Sequence, residues 1–217
     1  FKPSLFYRLF NDPFSVWCDY HAPEKEVVEE ICAYELMKQQ MGHEYEEKWV
    51  KAHYPNAVKI RPDWGFKALK NTCRAMLKGV STIHQASLWF LPDEFCGKVD
   101  LLVRNDDAPS DLGNYHYRVK EIKNSKEVSE YHKLQAGFYN IMLGRLQGYT
   151  PASVTVALRD REEVIEYNEV LIQEINSLLS MWRDLRDNIY KSLPNKYDQT
   201  DSPWRIYANK ILLQTMD

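Results

Sequence analysis

Cysteine is scarce in this chain and scattered. Four occur, at 18, 32, 73 and 96, with no C-x-x-C pair among them. Zinc-binding cysteines come in close pairs, so this spacing argues against a zinc ribbon. A disulfide framework has little place in 217 residues without a secretory signal, and the four read as free thiols in a reducing, cytoplasmic compartment. Long apolar runs are also missing; none approaches the length of a membrane-spanning helix. The first residues lack the layout of a signal peptide. A start at Phe1 rather than Met reads as a processed product or a piece of a longer polypeptide. Neither sign of charge dominates: 28 Lys and Arg face 31 Asp and Glu, a formal net charge of −3. A protein that coats polyanions is usually clearly basic, so that role is weakened, while an enzyme with a local basic face stays open. No internal repeat or low-complexity segment is present.

What remains is ordinary globular material, 44% hydrophobic and 27% charged, long enough to bury its own core. Apolar positions at Leu5, Phe6, Leu9, Phe10, Phe14 and Trp17 predict two short helices over 3–20, parted at Asp12-Pro13. A long polar helix is expected over 24–53, with Val27, Val28, Ile31, Leu36, Met37, Met41 and Val50 among its apolar residues. The Arg61-Pro62-Asp63 stretch is a connection, and 66–78 reads as a helix stopped by Gly79. The texture then changes. Strand-like runs over 80–90 and 95–104 are joined by a turn at 91–94, and a third strand follows a polar loop, over 115–123. A helix over 129–146 ends at Gly148, a strand runs over 153–158, a second long helix spans 164–193 before Pro194, and a short helix starts near Ser202-Pro203-Trp204. The order predicts an α/β fold, a mixed β-sheet flanked by helices, with an N-terminal helical region. The chain is read as one domain: 1–79 helical, 80–160 the core, 161–217 C-terminal helices.

Three short patterns carry chemistry. Asp100 stands among Val99, Leu101, Leu102 and Val103, where a carboxylate is costly to bury without a counter-charge or a metal. The plain alternative is an exposed acid on a half-buried strand. Glu121 and Lys123 lie two apart on the next strand and share a face, while Ile122 turns away and offers its backbone carbonyl. If Asp100 lies on the neighbouring strand, two carboxylates and a carbonyl converge, a hard-oxygen set that suits Mg²⁺ or Mn²⁺. A bound metal acidifies water and polarises a phosphate, and Lys123 is placed to steady the charge that develops. A mere surface ion pair is the alternative here, worth about 0–1 kcal/mol. Gln135 and Tyr139, four apart on the following helix, share one side of it, although an amphipathic helix with Tyr139 in the core explains them equally. Strand alternation sends Arg118 and Lys120 to the other face. Lys126 and Lys133, past the strand end, are the better nucleic-acid-binding candidates. Trp89, Phe90 and Tyr131 are candidates to stack on unpaired bases, or simply buried aromatics.

The ordered series Gly97-x-x-Asp100, Glu121-x-Lys123, Gln135-x-x-x-Tyr139 resembles the RecB-like branch of the PD-(D/E)XK nuclease superfamily. The start is similar too: Ser4-Leu5 precedes Asp12-Pro13-Phe14 and Trp17, where that branch has a serine–leucine helix, a C-P turn and an aromatic pair. Gly42-His43-Glu44-Tyr45-Glu46 stands where the family has an early helix with a glycine and a metal ligand. The likeness covers most of 1–160. It implies a restriction-endonuclease-like core and hydrolysis of phosphodiester bonds, in DNA first and with RNA left open. Asp100, Glu121 and the Ile122 carbonyl would be metal ligands for Mg²⁺ or Mn²⁺, and Lys123 the catalytic lysine. Gln135 and Tyr139 would be the helix motif, at the substrate or just behind the site. Glu46 occupies the position of a common histidine ligand, and a carboxylate suits Mg²⁺ as well. The iron–sulfur subgroup needs a cysteine where Asp12 stands and three more near the C-terminus, so no iron–sulfur cluster is expected. Other DNA-processing proteins are candidate partners, and no membrane is. The competing expectation is a catalytically weak or inactive nucleic-acid-binding or assembly subunit that keeps the nuclease fold; a blander one is an interaction domain whose acids are surface charge.

Overall fold

Alternating and helical patterns give way to each other along the chain, and a computed structural model turns that sequence of patterns into an α/β fold. It describes residues 1–26, 33–62, 64–187 and 202–214. The helices are α1 (Leu5–Asn11), α2 (Pro13–His21), α3 (Ala33–His53), α4 (Phe66–Leu77), α5 (Glu130–Gln147), α6 (Glu169–Arg186) and α7 (Arg205–Gln214). The strands are β1 (Val58–Lys59), β2 (Thr82–Phe90), β3 (Phe95–Asn105), β4 (His116–Ile122), β5 (Ser153–Ala157) and β6 (Glu162–Glu166). Residues 1–3 and 39–172 form one compact unit; the described parts of 4–38 and 173–217 form another. No helix among the described residues is long and apolar enough to cross a membrane.

The first unit is built on a mixed six-stranded sheet in the order β1-β2-β3-β4-β5-β6. β2, β3 and β4 pair antiparallel, β4 and β5 pair parallel with α5 as the crossover between them, and β5 and β6 close as a hairpin. Trp49 and Val50 of α3 bury against Leu101, Ile122 and Ala157, carried by three adjacent strands. Each fully buried side chain of this kind contributes about 1.5–3 kcal/mol, which fixes α3 on the sheet and with it Glu46, three residues before Trp49. α5 is anchored at its start by Ser129, whose hydroxyl accepts the His132 N–H at 3.3 Å, and at its end by Gly148 in the left-handed region at φ +67°. In its last turn Gln147 accepts the Tyr117 N–H at 2.8 Å and returns a hydrogen bond to the Tyr117 carbonyl at 3.0 Å, so a side chain completes the edge of β4.

In the second unit Asp12 caps α2 by accepting the Ser15 N–H at 3.0 Å. Phe14 and Cys18 pack with Trp204, just before α7, and with Ala208 of α7. Burial pushes the Cys18 thiol up to about 12, so it stays protonated and unreactive at neutral pH.

Two stretches differ from the pattern-based reading. The helix expected over 164–193 is preceded by strand β6, and α6 starts only at Glu169, where Asn168 Oδ1 accepts the Leu171 N–H at 3.1 Å. Asn168 is the true cap; the Glu-Glu-Val-Ile-Glu run before it is an edge strand whose glutamates discourage further pairing. β1, two residues long, is too short to show a period. Val27, Val28, Ile31 and Cys32, Asp63, and the end of the 164–193 helix beyond 187 with Pro194 lie outside the described residues.

Candidate active site

The β3–β4 ladder runs from Asn105 opposite His116 to Leu101 opposite Lys120, and Asp100 and Glu121 come next, where pairing stops. Their side chains take over the backbone groups. Glu121 Oε1 accepts the Asp100 N–H at 3.2 Å, and Asp100 Oδ2 accepts the Ile122 N–H at 2.8 Å. Glu121 is 1% exposed. Two carboxylates this close repel, and among the described residues the cation beside them is Lys123, whose Nζ lies 2.9 Å from Glu121 Oε2. Burial, then the charge of Glu121, holds the Asp100 carboxyl well above the usual carboxylate range; Lys123 opposes this and Glu46 adds to it. For Lys123, burial pulls the ammonium down, but Glu121 and Asp100 pull harder and the net shift is upward. Lys123 therefore stays charged.

Glu46 reaches the same place from α3. Its Oε1 accepts from His84 Nε2 at 2.8 Å and from the Gln85 amide. Both donors sit in β2. Gln85 lies between the paired residues His84–Leu101 and Ala86–Val99, opposite Asp100, and holds φ +56°. A left-handed backbone at a non-glycine residue in mid-strand disfavours the fold by roughly 1–2 kcal/mol. That twist turns the Gln85 amide toward Glu46.

α5 supplies the last side. Tyr139, 4% exposed, donates its hydroxyl to the Lys98 carbonyl at 2.9 Å. Its ring fills the slot left by Gly97, where an added Cβ would meet Tyr139 Cε1 at 2.5 Å. Burial keeps Tyr139 a neutral phenol, and the Gln135 side chain hydrogen-bonds it. Gln135 Oε1 is buried and has no hydrogen-bond partner among the described residues. Burial, then the Lys123 charge, pushes His132 down to about 4, and its Nδ1 accepts the Ser129 N–H at 3.2 Å; the ring is neutral.

The structure thus gathers Asp100, Glu121, Lys123 and Glu46, with Ile122 between two of them in the chain, and sets Gln135 and Tyr139 beside them. Tyr139 acts by position, locking the strand that leads into Asp100. Lys126 is exposed, and Lys133 is paired with Glu130 at 2.6 Å. Arg118 is paired with Asp107, and Lys120 with Glu162 at 2.7 Å. Sequence reasoning missed His84 and Gln85. Their only signal was two adjacent large polar residues in the middle of a strand-like run, Thr82–Leu88.

Among the described residues no three His, Cys, Asp or Glu side chains are grouped closely enough to hold a metal ion as they stand. Their oxygens are engaged by backbone N–H groups, Lys123, His84 and Gln85. The donor chemistry nonetheless fits a hard divalent cation: three carboxylates against one ammonium leave an excess of negative charge, and the orphaned Gln135 oxygen suits a water.

No family model matches the chain, and no curated protein does. Among solved structures, the crystal structure of SSO0001 is similar at a TM-score of 0.39 and 14% identity, over 95% of this chain and 84% of that one, a likeness too remote to bear on activity.

Proposed function

We propose that the protein is a metal-dependent nuclease of the RecB-like kind, hydrolysing phosphodiester bonds of nucleic acid, DNA first, in the cytoplasm. The observation that carries the reading is the interlocked Asp100–Glu121 pair at the end of the β3–β4 ladder, with the Lys123 ammonium against it. Asp100, Glu121, the Ile122 carbonyl and Glu46 would hold Mg²⁺ or Mn²⁺. Once bound, that ion supplies an acidified water and positive charge at the scissile phosphate. Lys123, kept protonated by its acidic neighbours, donates N–H bonds to the charge developing on the phosphoryl oxygens and orients the attacking water. Gln135 accepts a hydrogen bond from a water through its amide oxygen, and Tyr139 keeps Lys98 and Asp100 in register. Glu46, already tied to His84 and Gln85, favours one rival: a binding or assembly subunit with the same fold and weak or no catalysis.

The test is incubation of wild type and Lys123→Ala with single- and double-stranded DNA and RNA in Mg²⁺ or Mn²⁺. Cleavage by wild type and at least a hundredfold loss in the variant is expected (about 2.7 kcal/mol of transition-state stabilisation). Equal residual cleavage by both sinks the site. No cleavage under any condition leaves the binding subunit.

A further inference from the structure

The outer side of α4 carries cations and nothing to neutralise them. From Phe66 to Lys78 the chain has Lys67, Lys70, Arg74 and Lys78, and no acid. Steps of three, four and four residues set them in one row. The opposite side of the helix is closed: Ala68, Thr72, Ala75 and Met76 are buried, and Thr72 Oγ1 accepts the Ser87 N–H of β2 at 3.0 Å. All four cations are exposed, and none has an acidic partner among the described residues. Arg145 and Arg161, exposed on the same unit, are by contrast paired with Asp93 and Glu163. Like charges at this spacing disfavour a helix, so the row is kept against a local penalty. In a chain of net charge −3 it is also a local reversal of sign.

A row about 16 Å long matches a polyphosphate backbone better than it matches a point anion. α4 packs on β2, the strand whose His84 and Gln85 hold Glu46, so the row and the acidic site share one support. Phe66, 68% exposed, stands where α4 begins and offers an aromatic face to an unpaired base, next to Trp64, whose ring already meets Lys2 and Trp89. We propose that the outer side of α4 is the track that grips the phosphate backbone of a nucleic-acid strand leading to the Asp100–Glu121 site. This rests on the nuclease reading and deepens it by naming where the strand lies.

The test is equilibrium binding, so that it does not depend on cleavage. A fluorescein-labelled oligonucleotide, single- or double-stranded, is titrated in EDTA over a range of KCl. Wild type is compared with a variant carrying Lys67→Gln, Lys70→Gln, Arg74→Gln and Lys78→Gln, with Arg161→Gln, an exposed cation paired with Glu163, as the control. The fourfold variant is expected to lower the slope of log affinity against log salt by about 3, from 0.7–0.9 per lost contact, with the control unchanged. A companion in which Lys67, Lys70 and Lys78 become Arg keeps the charge and is expected to bind as wild type does. That comparison separates lost contacts from a damaged helix. An unchanged slope in the fourfold variant overturns the track, as does a wild type that binds no oligonucleotide. Loss confined to phosphatidylserine vesicles, with oligonucleotide binding intact, also overturns it and assigns the row to a membrane surface. A reduced slope in a protein that cleaves nothing supports the track and sinks only the nuclease reading.

Discussion

Gly97 and Tyr139 come from different elements and act as one part. The ring lies in the space a side chain at 97 would take, and its hydroxyl is held at the Lys98 carbonyl. Gly97→Ala puts a methyl 2.5 Å from Tyr139 Cε1 and 3.3 Å from Pro3, and a ring pinned at both ends cannot swing clear. The expected loss is about 1–3 kcal/mol, read as a lower urea midpoint at unchanged slope. Combined with Tyr139→Ala the two losses should sum to less than their total, because the second change removes the clash. Strict additivity would remove the slot from the account. In the sequence, a strand's two-residue period put Glu121 and Lys123 on one face and Asp100 stood out as an acid in an apolar run, while Gly97 entered only through the family resemblance. The sequence did not show that His84 and Gln85 restrain Glu46. A histidine–glutamine pair has no diagnostic spacing, and a left-handed backbone is signalled by glycine, not by glutamine.

At the scale of the element, α5 depends on a cap that changes with pH. Ser129 and His132 exchange hydrogen bonds at its first turn, and the Nδ1 acceptor requires a neutral ring. Burial and Lys123 push His132 down to about 4, whereas an unfolded histidine sits near about 6.5. Between those values the unfolded chain takes up a proton that the folded one refuses, so stability is lost as pH falls through that window. The urea midpoint of wild type should drop more steeply from pH 6.5 toward 4 than that of His132→Gln. Parallel curves would clear His132 of the effect. Helix positions with regular caps, such as Ser129 and Gly148, were legible in the sequence. The boundary at Asn168 was not, since Val164 and Ile165 fit a helix or an edge strand equally over so few residues. The α4 cations had helical spacing in plain view, yet which side of that helix is open is a fact of tertiary packing.

Across the whole molecule the charge ledger is uneven. The sheet unit holds Asp100 and Glu121 near Glu46 with Lys123 as the cation beside them among the described residues, so the fold stores repulsion there. Asp100→Asn should raise thermal stability in EDTA while abolishing any gain from added Mg²⁺. Wild type at Mg²⁺ about a hundred times its dissociation constant should gain about 2.7 kcal/mol. A variant less stable than wild type in EDTA and equally responsive to Mg²⁺ would contradict this charge balance. The mixed sheet and its helical crossover followed from the order of patterns along the chain. The pairing of Phe14 and Cys18 with Trp204 and Ala208 did not, because no local pattern encodes a contact between the two ends of a chain.

Gln85 brings these scales together. Glycine at that position would relax the backbone, and it would also delete the amide that steadies Glu46. The residue best for the sheet is therefore the worst for the cluster of acids beside it. Screens for robustness and for performance would pull this one codon in opposite directions, which makes it the natural place to watch the two traded against each other.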